Sequence, residues 1–320
     1  MKIGLDVMGG DFAPGATVAG AILALKDLPP ADRIVLFGIQ DVILEELSKH
    51  GVDPALFDIV HASEVIGMGE HPTHAILRKP DSSIGVGFKN LKQKSIDAFA
   101  SAGSSGAMLV GSIYSVNNIQ GVIRPCTSAV LPQEGGDLSL LLDVGTNPDA
   151  KPDVMYQFAL LGSITAKNVY KINNPRIALL NIGHEEGKGN LLSQATYQLM
   201  KGTKDFNFIG NIEGRDVLRN KADVIVCDGF TGNVVLKNLE GMFRIMMKRG
   251  LVDDYFARFN YESYGGTPIL GINSTVIVGH GISNDKAIKN MILLARDVHA
   301  AKLSQKIKRA LARVAVVVRD

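Results

Sequence analysis

Tryptophan is absent from this chain, and aromatic residues fill only 6% of its 320 positions. A surface that stacks nucleic-acid bases needs aromatic platforms. The net charge of +2 also gives no case for a polynucleotide partner. Cysteine is scarce as well. Cys126 and Cys227 lie far apart with no CxxC spacing, which argues against a zinc site and against a disulfide framework. Buried core thiols are the ordinary reading of such a pair. No apolar run reaches the roughly 18–20 residues of a spanning helix. The first residues, MKIGLDV, enter a strand directly and show no leader pattern. A soluble, cytoplasmic protein is expected, with no metal and no cofactor. Repeats of about 20–50 residues are missing too, as are low-complexity linkers.

What the chain has is apolar substance and alternation. Hydrophobic residues make up 46% and charged residues 21%, enough for a sizeable core in one large domain or two modest ones. Apolar strand-like runs fall at Ile3–Val7, Ile34–Gly38, Phe57–His61, Ala98–Ser101, Leu138–Asp143, Arg176–Asn181, Phe206–Gly210, Asp223–Cys227 and Val276–Gly279. Helical patterns separate them, at Gly15–Lys26, Gln40–Lys49, Met155–Val169 and Lys286–Lys302. Continuous apolar strands alternating with helices predict an α/β fold with a mostly parallel sheet covered on both faces. In such sheets ligands bind outside the carboxyl ends of the strands.

The segments that follow the strands share a composition. They read DVMGGDFAP from Asp6, SAGSSGA from Ser101, DVGTNPD from Asp143, GHEEGKGN from Gly183, NIEGRD from Asn211, DGFTGN from Asp228 and HGIS from His280. Glycine lets backbone approach a ligand closely. SAGSSGA, running into a helix from about Ala107, fits two readings: an anion cradle at a helix N-terminus, or an ordinary Ser-capped turn. It is not a Walker loop, and Gly85-Val-Gly87 lacks the third glycine of a dinucleotide fingerprint. DGFTGN, followed by Lys237, offers acceptors and donors, or else an Asx turn that caps the next helix. Lys188 between two glycines can reach an anion or stand in solvent. His280 fits an acid or base or a structural role. Asp6 and Asp11 can orient other groups or hold a cation. No GxSxG elbow occurs.

These motifs, with YGGTPILGINSTVIVGHGIS near the C-terminus, resemble in order those of the phosphate acyltransferase (PlsX) family of bacterial phospholipid synthesis. The likeness covers nearly the whole chain. It implies a single domain over 1–320, a three-layer α/β/α Rossmann-like sandwich related to isopropylmalate dehydrogenase, with a helical tip near 238–262. It implies transfer of an acyl group from acyl carrier protein to inorganic phosphate. It also implies a homodimer that touches the inner face of the cell membrane.

Carried onto this chain, the resemblance gives catalytic roles to Asp228, Asn233, Lys188 and His280. Phosphate and substrate contacts fall to Asp6, Gly9, Gly10, Asp11, Ser101, Gly103, Ser104, Ser105, Gly106, Asp143, Asn147, Asn190, Gly229, Thr231, Gly232 and Lys237. The backbone of SAGSSGA, with Lys188, is expected to hold phosphate, and Asn233 to donate to the oxyanion. Asp228 or His280 would move protons.

The chain departs from the family pattern in three places. Ser104-Ser105 stands where many members have Asn-Thr, Thr146-Asn147-Pro148 replaces a more usual Ala-Asn-Val, and the tip after Gly241 is short. Leu239, Met242, Phe243 and Met246 form an amphipathic face beside Arg244, Lys248, Arg249 and Arg258. Dimer packing, membrane contact and carrier-protein docking are its three readings. Lys306–Arg313 reads as a solvated basic helix, and Val314–Val318 as a short strand or packed tail. A short-chain phosphotransacetylase or a related dehydrogenase, and a non-catalytic carrier-binding scaffold, are the alternative functions.

Overall fold

A computed structural model describes residues 1–317. The strands are β1 Lys2–Asp6, β2 Arg33–Gly38, β3 Asp58–His61, β4 Ala98–Ser101, β5 Cys126–Pro132, β6 Leu138–Leu142, β7 Arg176–Asn181, β8 Asn207–Glu213, β9 Val224–Val226, β10 Thr267–Leu270 and β11 Thr275–Val278. The helices are α1 Gly15–Leu25, α2 Gln40–Lys49, α3 Pro72–Arg78, α4 Ser83–Lys92, α5 Ser105–Val116, α6 Pro152–Asn168, α7 Leu191–Met200, α8 Gly229–Lys248, α9 Asp254–Ala257, α10 Asp285–Ala300 and α11 Leu303–Val317. Residues group into two compact units. The first is Met1–Asn118 with Tyr261–Lys302; the second is Ile119–Asn260 with the chain from Leu303 onward.

The first unit holds β3-β2-β1-β4-β11-β10, parallel except for the last pair. Its inner strands are apolar on both faces, as a doubly covered parallel sheet requires. On one face Phe37 and Phe99 pack with Phe88 of α4 and Met108 of α5. The Phe99 ring meets those of Phe37 and Phe88 edge-on. On the other, α10 lies along β1, β4 and β11 and packs against α1. A Cβ at Gly20 of α1 would stand 2.5 Å from Ile288 Cβ and 2.6 Å from the Asp285 carbonyl of α10. Only glycine lets these two helices approach so closely.

The second unit holds β5-β6-β9-β7-β8, with β5–β6 antiparallel and the rest parallel. Alternation along β6 and β9 splits the core. Leu141 and Ile225 face the cluster that includes Val235, Leu236 and Leu239 of α8. Leu142 and Val224 meet Gly162 of α6. Side chains cap α4, α5, α7, α8 and α10, from Ser82, Ser104, Asn190, Asp228 and Asn284. Each accepts one of the N–H groups that a helix start leaves unpaired.

The expected parallel α/β architecture is present, with the predicted strands in place to within a few residues. The two strands that the sequence pattern did not reveal, β5 and β10, are the antiparallel ones and both contain proline, which weakens a strand signal. Helix α11 absorbs Lys306–Arg313 and the 314–317 part of the apolar run; Val318 lies outside the described residues. Replacing Gly20 by Leu is expected to lower stability by about 1–3 kcal/mol through overpacking. An unchanged midpoint in denaturant unfolding would contradict the close α1–α10 crossing.

Candidate functional site

In the first unit β1, β4 and β11 are neighbouring parallel strands. Their carboxyl ends therefore bring DVMGGDFAP, SAGSSGA and HGIS to one edge. The centre of this edge is Asp6, which is 1% exposed. Its Oδ2 accepts from Ser101 Oγ at 2.6 Å and its Oδ1 from the Met8 N–H at 3.0 Å. Ser101 Oγ in turn accepts from the Gly103 N–H at 2.9 Å. A Cβ at Gly9 would collide with the Asp6 carboxylate and with Gly103, so the two loops cross at bare backbone.

The cradle is therefore narrower than the whole of SAGSSGA. The Gly103 N–H is committed to Ser101, and the Ala107 N–H goes to Ser104 Oγ at 3.3 Å. Met108 N donates to the Ser104 carbonyl. Ser105 and Gly106 supply the first two helical N–H groups of α5, which have no acceptor within a helix. Ser105 is exposed. Gly106 lies under Pro72, whose ring would meet a Cβ there at 2.5 Å. Beside this edge, the Asp11 N–H donates to the Gly281 carbonyl at 2.8 Å, and Gly10, at φ +110°, packs against Ala102 and Gly281. His280 is half-buried, its ring 5.6 Å from that of Tyr261.

In the second unit the end of β6 carries a fully buried carboxylate, Asp143. Its Oδ1 accepts from Thr127 N and Oγ1, both at 3.2 Å, and from Thr146 N at 3.3 Å. Its Oδ2 accepts from Asn147 N at 2.6 Å and Nδ2 at 3.0 Å. With its acceptor sites filled by protein, Asp143 shapes the DVGTNPD loop and has little left for a ligand. That loop is docked on α8: Gly229 N donates to the Asn147 carbonyl at 2.8 Å. A Cβ at Gly232 would overlap the Asp143 carbonyl. Asp228 caps α8, accepting from Thr231 N and Oγ1, both at 2.8 Å; of its two readings, the capping turn is present. Asn233 is exposed and lies alongside Gly145.

The remaining predicted residues stand apart from that loop pair. Asn190 caps α7 through Ser193 N. Lys188 is exposed after β7, its carbonyl held by Asn181 Nδ2 at 3.0 Å and its side chain against Gly183. Lys237 pairs with Glu240, one turn along α8, at 2.9 Å. Asp6 accepts from Ser101 Oγ and the Met8 N–H, and among the described residues no group of three or more His, Cys, Asp or Glu is placed to hold a metal ion. Burial pushes the thiols of Cys126 and Cys227 well above their ordinary value, helped by nearby carboxylates. They are inert core residues.

Sequence reasoning gave no site role to Thr127, Thr146 or the polar group around His184. His184 Nε2 is 3.3 Å from Asp216 Oδ2, and its Nδ1 is 3.2 Å from the Asn211 carbonyl. Thr127 lies on β5, outside the glycine-rich loops, while Thr146 and His184 each follow a glycine within one of them.

Burial raises the Asp6 carboxyl above its ordinary 3.8, and hydrogen bonding to the carboxylate, from Ser101 first, only partly offsets this. Between 3.8 and the raised value the folded protein holds a proton that the unfolded chain has lost. Stability from this group therefore falls as pH rises through that window. The stability of the protein relative to an Asp6→Asn variant is expected to decline over that range in denaturant titrations at a series of pH values. A difference that stays flat would contradict it.

The family profile described as "Fatty acid synthesis protein" matches residues 1–306. A phosphate acyltransferase of Dictyoglomus turgidum is 40% identical over 333 aligned positions that cover 98% of both chains. One of Syntrophomonas wolfei is 43% identical over 304, covering 93% of this chain and 95% of the relative. Among solved structures, a phosphotransacetylase of Streptococcus pyogenes superposes with a TM-score of 0.66 at 16% identity, over 93% of this chain and 94% of that one. That likeness is one of fold. With a match running across nearly its whole length, the chain belongs to the fatty acid synthesis protein family.

Proposed function

We propose that the protein is an acyltransferase that moves a fatty acyl group from acyl carrier protein to inorganic phosphate, giving acyl phosphate for phospholipid synthesis. Full-length identity of about 40% to phosphate acyltransferases supports the reaction. The observation that carries the site is the start of α5, where the Ser105 and Gly106 N–H groups have no helical acceptor and the positive helix end lies at the strand edge.

Phosphate is its own nucleophile in this chemistry. One phosphate oxygen attacks the thioester carbonyl carbon, a C–O bond forms, the C–S bond breaks, and the departing thiolate takes a proton. No covalent enzyme intermediate is needed, which agrees with two buried, unreactive cysteines. Catalysis then rests on positioning and on charge stabilisation. In the first unit, the Ser105 and Gly106 amides suit the phosphate, and His280 is the candidate for proton transfer. In the second, Asn233 is an exposed amide donor suited to a developing oxyanion, and Lys188 an exposed cation suited to an anionic group. Asp228 serves by fixing the start of α8.

The assembly belongs to the same proposal. Met242, Ile245, Met247 and Leu251 are large, exposed and apolar around the end of α8, and exposed apolar patches mark interaction sites. They support a homodimer, with peripheral contact to the inner face of the cell membrane. No helix among the described residues is long and apolar enough to cross one. A monomer by light scattering that also fails to float with liposomes would remove both readings.

The reaction is tested by incubating the protein with long-chain acyl carrier protein, with and without phosphate, while following free thiol and acyl phosphate. Phosphate-dependent appearance of both is expected. Carrier binding without turnover would favour a scaffold. Turnover confined to short acyl groups on coenzyme A would favour a phosphotransacetylase, the activity named for the Streptococcus pyogenes fold relative.

A further inference from the structure

In the second unit an apolar cleft of about 370 Å³ lies between the NIEGRD turn and α8. That volume falls within the roughly 300–1,000 Å³ of small-molecule sites. We infer that this cleft holds the fatty chain of the acyl group, and that its walls set which chain lengths the protein accepts. The inference rests on the reading of the protein as a fatty acyltransferase.

The walls are aliphatic. Val217 and Leu218 follow the turn on one side, and Val235 and Leu239 of α8 stand on the other. Val217 is buried, whereas Leu218, Val235 and Leu239 are half-buried. These three pack against the core of Leu141 and Ile225 and leave apolar surface bare toward the cleft. Among the described residues no aromatic ring lines it, so it offers no platform for a base. Its two polar lining side chains, Arg215 and Asn238, are exposed and mark its mouth. Between them there is no buried donor or acceptor to orient a polar ligand, and water held there would forgo hydrogen bonds. An alkyl chain forgoes none. Each methylene moved from water into such a cleft strengthens binding roughly three- to fourfold.

The cleft also has a direction. Val235, Asn238, Leu239 and Met242 fall at i, i+3, i+4 and i+7, one face of α8. That face leads from the half-buried walls to the exposed side chain of Met242, about 10 Å along the helix axis. A long chain can therefore continue along α8 toward its exposed apolar end. On the Arg215 side the mouth is charged. Arg215 Nη2 is 2.8 Å from Glu213 Oε2, and Glu213 Oε1 is 3.8 Å from His184 Nε2. His184 belongs to the loop that carries Lys188. A polar head leaving the cleft on this side meets that loop, while the tail runs toward Met242.

The test uses the full chain and acyl carrier protein loaded with a long acyl chain that ends in a diazirine. Irradiation without phosphate, followed by peptide mapping, is expected to label Leu218, Val235, Leu239 or Met242. Label confined to other segments overturns the assignment. Two variants read the walls: Asn238→Phe sets a ring over the mouth from an exposed position, and Leu239→Phe narrows the cleft. In the thiol-release assay each is expected to lower kcat/KM roughly tenfold more for long-chain than for short-chain donors. Thermal midpoints show whether Leu239→Phe remains folded, and Asn238→Phe decides alone if it does not. An unshifted chain-length profile, or an equal fall at every length, overturns the proposal. So does slowed hydrogen exchange of the cleft on raising protein concentration with no acyl chain present, which assigns it to a second copy of the chain. Absence of turnover with every acyl donor would instead remove the acyltransferase reading, and the label would still report whether the cleft holds the chain.

Discussion

The strand edge of the first unit depends on one buried carboxyl group. Asp6 is almost wholly removed from water, which costs free energy for any carboxylate that ionises. The Ser101 hydroxyl of β4 and the Met8 amide of the loop after β1 offset part of that cost. The same bonds then dictate which backbone N–H groups turn inward and which remain for a ligand. Gly9 and Gly103 follow from it, since side chains there would strike the carboxylate or the opposing backbone.

The second unit repeats the device with a different purpose. Asp143 ends β6 as Asp6 ends β1, and it too is buried. Its donors come from its own loop and from Thr127 on the antiparallel strand β5. The result is a loop pinned to the start of α8, with Gly229 and Gly232 allowing backbone contact. Asn233 is left exposed beside that loop. In each unit a buried carboxylate organises the backbone, and the groups suited to chemistry stand next to it.

The architecture was legible because parallel strands buried on both faces read as unbroken apolar runs, and because glycine-rich segments followed nearly every one. Ala98–Ser101 and Arg176–Asn181 stand where the pattern put them. Other boundaries moved by a few residues, and β5 and β10 each carry a proline that weakens the strand signal. At the candidate site, composition marked the right loops but not the polarity of the bonds inside them. It could not show that the Gly103 amide is spent on Ser101, that Lys237 answers to Glu240, or that Thr127 of β5 reaches Asp143. Those facts depend on which strands become neighbours, and no local pattern carries that information.

The central claim is that the Asp6 network leaves the Ser105 and Gly106 amides as the anion donors of this edge. Amide hydrogen exchange, measured with and without saturating inorganic phosphate and resolved to single residues, tests it most directly. The account predicts slowed exchange at Ser105 and Gly106, with the Gly103 amide protected in both conditions. Phosphate protection confined to other segments, such as the loop around Lys188, would contradict it.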